Sequence, residues 1–498
     1  MAGGTWNSQN KVLPGVYINV QSQESVNISL GERGTVAIPK SLSWGPVGAV
    51  MEITPGEDLT PYIGYTIADE EALFLREMMK GSDVTSGPNK ILLYRLNGTS
   101  GAAATVTVGI LTTTANYVGT RGNDITVIVT ADPDNVGYYD VNTVVDGMIV
   151  DSQYVGDPLN LVKNSWVTFE VPWTDAEEYD STSTYAVGDY CYHSDTLYRC
   201  TTAISTAEAW TAGHWTAETA TLTTTVGTPL SGGVNPTIAA SNYATFLTDI
   251  EPYQFDILAY DGTDSTTKTA FVQFINRMNN NIGKKCQLVM NNSGDNNKYV
   301  IDVQNGVILN DGTTISAQQA AWWVAGAEAG AQYNQSLTYA QYPGAASANP
   351  KLSEASAESA VAGGSLCFID TFGIVKVCTD IDSKTTVVPR EGAEFKKNRV
   401  MRVINQFCND TYEHFSNYFI GKVDNNDNGR ALLRTWIIGY LNEMQAGNGI
   451  QNFSADDVTV EPGQAIDAVV VNVAIMPVDS IEKVYLTVTV TANGATVA

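Results

Sequence analysis

Histidine is the rarest catalytic residue type in this chain, present only as His193, His214 and His414. None belongs to an H-E-x-x-H helix. Also missing are G-x-S-x-G, the G-x-x-x-x-G-K-S/T phosphate loop and a G-x-G-x-x-G after a strand. Carboxylate pairs such as Glu177-Glu178 are adjacent in sequence and poorly placed to flank one glycosidic bond. No enzyme, catalytic residue or cofactor is expected. Basic residues are scarce too: 27 Lys and Arg against 53 Asp and Glu leave a charge of −26. That is the wrong sign for gripping phosphates or anionic lipid, so neither nucleic acid nor a membrane is expected as a direct partner. The six cysteines show no C-x-x-C pair and no zinc spacing. Most lie in apolar runs such as Cys286-Gln-Leu-Val-Met290 and read as small core residues of a protein made in a reducing cytoplasm. No apolar run approaches the roughly 18 residues of a membrane span. The first eleven residues have neither a basic nor an apolar targeting region.

One motif imitates a metal site. Asp424-Asn-Asn-Asp-Asn-Gly429 fits the start of an EF-hand loop, but Arg430 stands at position seven and Thr435 where the bidentate Glu belongs. It reads as a polar turn, and no metal site is assigned.

What is present divides the 498 residues into several textures. A multidomain α+β and α/β chain is expected, with about two to four cores. Residues 1–30 read as an N-terminal arm, in which Val16, Ile18 and Val20 alternate with polar neighbours as in a half-buried strand. Residues 31–100 open the core, with a short acidic-headed helix at Asp69–Met79. Residues 101–232 are β-rich and predict a small sandwich or barrel, interrupted at 173–220 by an all-β insertion. Residues 233–395 alternate strand and helix, the mark of crossover units and a partly parallel sheet. Within them, Tyr299–Val303 and Val307–Leu309 around Asn305-Gly306 read as a strand pair. Residues 396–480 predict two helices, Phe395–Tyr418 and Arg430–Glu443, and a strand through Val469, Val471, Val473 and Ile475. Residues 481–498 form a second arm, in which Val484, Leu486, Val488 and Val490 alternate. Each arm pairs either within its own chain or on a neighbour.

Three separated segments, in order, carry a resemblance. Leu13-Pro-Gly-Val-Tyr17 with Gly31-Glu-Arg-Gly34 and Gly45-Pro-Val-Gly48, then Tyr117-Val-Gly-Thr-Arg-Gly-Asn-Asp124, then Asn428-Gly-Arg430 with Pro477-Val-Asp-Ser-Ile-Glu-Lys-Val-Tyr-Leu-Thr-Val488, resemble the tail-sheath family of contractile phages. The resemblance covers the chain except 173–220. It implies a structural protein of the virion tail, assembled in the host cytoplasm as hexameric rings stacked in a helix around the tail tube. Baseplate and tail terminator would be further partners, and exchanged terminal strands would link the copies. Contraction would drive the tube through the host envelope. Arg430 and Arg434, four apart on one helix face, either meet acidic groups of the tube or a neighbour, or form a solvated surface.

The insertion has its own signature. Eight aromatic residues, Trp173, Tyr179, Tyr185, Tyr190, Tyr192, Tyr198, Trp210 and Trp215, fall within 43 positions, and Arg199 is the only basic residue between Asn164 and Thr267. The spacing of Tyr185–Tyr192, Leu197–Cys200, Trp210 and Trp215 resembles a small chitin-binding-type carbohydrate module. Following that pattern, Trp173, Tyr198 and Trp215 are expected inside, and Tyr185, Tyr192 and Trp210 on an exposed platform for surface glycans. A passive decoration of the exterior is the other reading. Cys191 and Cys200 could face each other across adjacent strands, as free thiols or, once particles leave the cell, as a disulfide.

The sheath of an R-type bacteriocin or of a phage-derived injection system would share this sequence logic. A carbohydrate-binding adhesin is the alternative of a different class; it would leave most of the chain without a purpose.

Overall fold

A computed structural model describes residues 2–4, 15–17, 30–219 and 221–490. The chain forms two compact units, one from Arg33–Met401 with Ser480 onward, the other from the residues up to Glu32 with Arg402–Asp479.

The larger unit is organised by a seven-stranded sheet. Its spatial order is Ser365–Leu366, Val300–Val303, Gln287–Met290, Ile257–Ala259, Thr35–Lys40, Lys90–Arg95 and Val50–Ile53. All neighbours are parallel except the last, which closes one edge antiparallel. Such strands must be apolar on both faces, and they are. Val36, Ile38, Ile91 and Leu93 enter one core, while Ala37, Leu92 and Tyr94 enter the other. Helices Ala240–Ile250 and Ser265–Arg277 cover the second face through Phe246, Phe271 and Ile275. The first face receives the helix Ala317–Gly330, buried from Ala320 to its end. Its all-round apolar surface suits a helix enclosed by protein. Gly326 makes the approach possible: a Cβ there would lie 1.8 Å from the Met78 carbonyl oxygen.

The expected pairing around Asn305-Gly306 is not found. Val300–Val303 joins the parallel sheet, whereas Gly306–Leu309 pairs with Thr314–Ile315 and Ala345–Asn349 in a separate antiparallel sheet. Asn305 is used for tertiary bonding instead: its amide donates to the Phe368 carbonyl at 3.0 Å and its oxygen accepts from the Phe368 N–H at 2.8 Å. A turn dipeptide whose side chain is claimed by a distant strand no longer folds the chain back on itself.

The β-rich region consists of two facing sheets, one of four strands (Met148–Val155, Tyr139–Val145, Ile125–Ala131, Thr225–Pro229) and one of three (Val167–Glu170, Leu111–Val118, Ala103–Val108). Val127, Val129 and Val141 of one meet Leu111, Ala115 and Val167 of the other. The motif Tyr117–Asp124 holds this sandwich to the parallel sheet's loops. Gly119, at φ +130°, lies where a Cβ would stand 2.1 Å from the Ser43 carbonyl oxygen. Buried Arg121 donates to the Gly64 carbonyl at 2.8 Å, forks onto Asp146, and lies over the rings of Tyr65 and Trp166.

In the smaller unit, helix Asn398–Tyr418 from Arg402 on packs with helix Asp427–Ala446 and a hairpin of Val458–Pro462 and Val469–Val473. The latter helix begins three residues before the position expected, because the Asn426 side chain accepts from the Gly429 N–H and caps it. The imitation EF-hand is thus a loop and a first helical turn. Buried Asp410 accepts from the Gly31 N–H, Gln406 and the Tyr440 hydroxyl. Gly15–Tyr17 pairs in parallel with Ala2–Gly4, a backbone partner that no side-chain pattern advertised. Ile18 and Val20 lie outside the described residues.

Candidate inter-subunit surfaces

The C-terminal arm is tied down at one residue. Glu482 accepts from the Thr338 hydroxyl at 2.8 Å and the Thr379 hydroxyl at 3.2 Å, and pairs with Lys397. Beneath it runs a buried polar chain. Asn398 donates to Asp380 at 2.8 Å and to Glu328 at 3.3 Å, and Asp380 accepts from the Leu337 N–H at 2.9 Å. Charge-assisted bonds of this kind are the strong ones. Beside the anchor, the thiols of Cys367 and Cys378 hydrogen-bond; that bond pulls Cys378 down to about 7 and pushes Cys367 up.

Past Glu482 the chain leaves the protein. Val484, Leu486, Val488 and Val490 are between 74% and 91% exposed, as is Tyr485 at 91%. Among the described residues no strand pairs with this segment. Glu482 escaped sequence reasoning because its partners Thr338, Thr379 and Lys397 lie 85 to 144 positions away; only its isolation between Ile481 and Val484 hinted at it.

The smaller unit carries a short, partly exposed sheet. Its hairpin Val458–Pro462 and Val469–Val473 is a two-stranded sheet, and Val470 and Val471 remain 46% and 38% exposed. A two-stranded ribbon is marginal by itself and its edges are templates for addition. The two arginines assigned to a partner sit on the adjacent helix. Arg430 bonds Asp427 and the Asn425 side chain, while Arg434 donates to the Val458 carbonyl at 2.8 Å and to that of Ala455. Both guanidiniums therefore brace the hairpin's surroundings from within.

In the insertion, Tyr190–His193, Thr196–Cys200 and Trp215–Ala217 form an antiparallel sheet. The aromatics are divided between two cores. Trp173, Leu197, Tyr190 and Tyr192 pack toward the sandwich. Tyr179, Tyr185, Tyr198 and Trp210 surround Trp215, Ile204, Cys191 and Cys200. So Tyr185 and Trp210 come together and Tyr192 does not join them. Trp210 stacks on His193 at 4.1 Å and on Trp215 at 5.3 Å, and Tyr185 stacks on Tyr179 at 5.2 Å. Cys191 and Cys200 are both buried free thiols, raised above the ordinary thiol value by burial.

Similarity to known proteins runs along nearly the whole length. Residues 33–96 match the tail sheath protein Gp18 domain III N-terminal region, and 99–188 the phage tail sheath protein beta-sandwich domain. Residues 237–381 match the phage tail sheath protein central domain and 390–491 the phage tail sheath C-terminal domain. The crystal structure of the sheath tail protein from Desulfitobacterium hafniense is 35% identical, covering 95% of this chain and 99% of that one with a TM-score of 0.77. This chain belongs to the phage tail sheath family. Also similar in sequence is the phage-like element PBSX protein XkdK of Bacillus subtilis, 31% identical over 98% of this chain and all of that protein. At 11% identity the fold alone is shared with the contracted helical sheath of the anti-feeding prophage, with a TM-score of 0.51 over 96% of this chain and 99% of that one. The chain is accordingly a structural subunit of a contractile tail or injection system.

Proposed function

We propose that this sheath subunit assembles as six-membered rings stacked in a helix around a tail tube, between baseplate and terminator, and contracts to drive the tube through a host envelope. The reading rests on one observation: an arm anchored at Glu482 continues as exposed, alternating apolar chain with no strand partner among the described residues. Strand addition gives strength through backbone bonds and register through alternate side chains. The edge of the hairpin Val458–Pro462 and Val469–Val473 in a neighbouring copy is the acceptor we assign to it. A link made of extended backbone lets subunits rotate and slide during contraction without separating. Besides the internal bonds that hold them, Arg430 and Arg434 supply positive charge toward acidic groups of the tube or of a neighbour.

The test is negative-stain electron microscopy of the full chain beside a chain ending at Asp479. Striated hollow sleeves from the first and dispersed particles from the second are expected. Sleeves from both would remove the arm from assembly. Reversing charge at Arg430 and Arg434 together should weaken copurification of sheath with tube; unchanged copurification would retire that contact.

A further inference from the structure

On the α/β core, strands Phe368–Thr371 and Ile374–Val377 form a hairpin in register, joined only by Phe372 and Gly373. Both turn residues have positive φ, +52° and +81°, as a type I′ turn requires. Asn or Gly is the ordinary occupant of the first position, because a bulky side chain on left-handed backbone is strained. Here the occupant is Phe, and its ring is fully exposed at 101%. A second aromatic shares the anomaly: Tyr339, at φ +61° and 51% exposed, donates its N–H to the Val377 carbonyl and sits under the Lys376 ammonium. Tyr339 is repaid by that bond and that cation, whereas Phe372, strained and held out to solvent, gains nothing from its own chain.

The smaller unit contains a cavity of about 580 Å³, open to solvent and large enough for a phenyl ring. Phe415, Phe419, Val423, Leu433, Ile466 and Val469 line it. Ile466 on its rim is 96% exposed. The rim also carries Asp424 and Asp467, with Asp427 pairing Arg430, so it is net acidic despite Lys422. The hairpin's flank is net basic, with Lys351 and Lys376 against Asp370.

We propose that Phe372 is a docking knob that enters this cavity, against its apolar wall of Phe415, Phe419 and Leu433, in a second copy of the chain. Knob and cavity are different surfaces, so the contact is head-to-tail and repeats from copy to copy, generating a ring or a helix rather than a closed dimer. An aromatic anchor in a desolvated pocket with a charged rim is the usual form of an interface hot spot. The proposal rests on the self-assembling sheath reading and adds a specific contact to it, separate from the strand arms.

Phe372→Asn separates stability from assembly. Asn suits the left-handed turn position, so the variant should melt a few degrees higher than the parent protein. It should also need roughly tenfold more protein to form sleeves, the loss expected of one anchor. Ile466→Asp, at an exposed position, should raise the assembly threshold similarly without lowering the melting temperature. For placement, p-benzoylphenylalanine at position 372 is irradiated in sleeves mixed from isotopically labelled and unlabelled copies. Cross-links between copies to 415–433 or 466–469 support the docking. Sleeves forming normally from Phe372→Asn, or cross-links confined to other segments or to the tube, overturn it. Failure of the parent protein itself to assemble would instead count against the underlying sheath reading.

Discussion

Arg121 shows how much of this fold hangs on single side chains. Its guanidinium is 4% exposed, forks onto Asp146, bonds the Gly64 carbonyl and stacks on two aromatic rings. Removing it leaves the Gly64 carbonyl and the carboxylates of Asp146 and Asp124 without their donor. Asp146 is 59% exposed and can turn to water, so Arg121→Ala should cost about 2 kcal/mol, below the ~3–5 of a fully buried pair. Arg121→Lys keeps the charge but not the fork or the stacking, and should recover less than half of the loss in urea unfolding. Full recovery would mean charge alone matters. Glu391 offers a pH-dependent case. Lys298 and Lys384 hydrogen-bond to it at 2.7 and 2.9 Å and hold its carboxyl below the ordinary 4.5. The unfolded chain then takes up the proton first on acidification. Its contribution is complete above that ordinary value and disappears as pH falls through the folded one. Glu391→Gln should therefore lower the melting temperature at neutral pH, and the gap should close in acid; a gap independent of pH would refute the ion pairs as its source.

At the scale of elements, the insertion is part of the sandwich rather than a bead beside it. Trp173 is buried against Tyr190, and Leu197 and Tyr192 close the same core. Replacing residues 175–218 with a short Gly-Ser linker should uncover these contacts, at about 1.5–3 kcal/mol for each large side chain exposed. Lower stability in urea and new binding of a hydrophobic dye are expected, whereas an unchanged unfolding curve would show an independent module. Which elements could be read in advance follows the same physics. Parallel strands such as Gln287–Met290 are apolar runs, and Ala317–Gly330 announces its burial by composition. The arm's alternation was legible because it depends only on near neighbours. The Glu482 anchor, the partition of the insertion's rings and the strained turn at Phe372 were not. Each depends on residues remote in sequence, or on a backbone angle that Phe372 itself disfavours.

At the scale of the whole molecule, net charge opposes the assembly proposed for the arms. Each copy carries −26, and the proposed ring would bring several such copies together. Repulsion between exposed charges reaches about 30 Å at 0.01 M salt but only about 8 Å at 0.15 M. Strand addition and apolar docking act at contact and are little changed over that range. Raising sodium chloride from about 0.01 to 0.15 M should therefore lower the protein concentration at which sleeves appear, as measured by sedimentation. The neutral osmolyte sucrose, which favours burial without screening, should be much less effective at matched osmolality. If moderate salt weakened assembly instead, complementary ion pairs between copies would outweigh the net charge. The contacts to look for would then be salt-sensitive pairs around Lys351, Lys376 and the acidic rim of Asp424 and Asp467, rather than the arms.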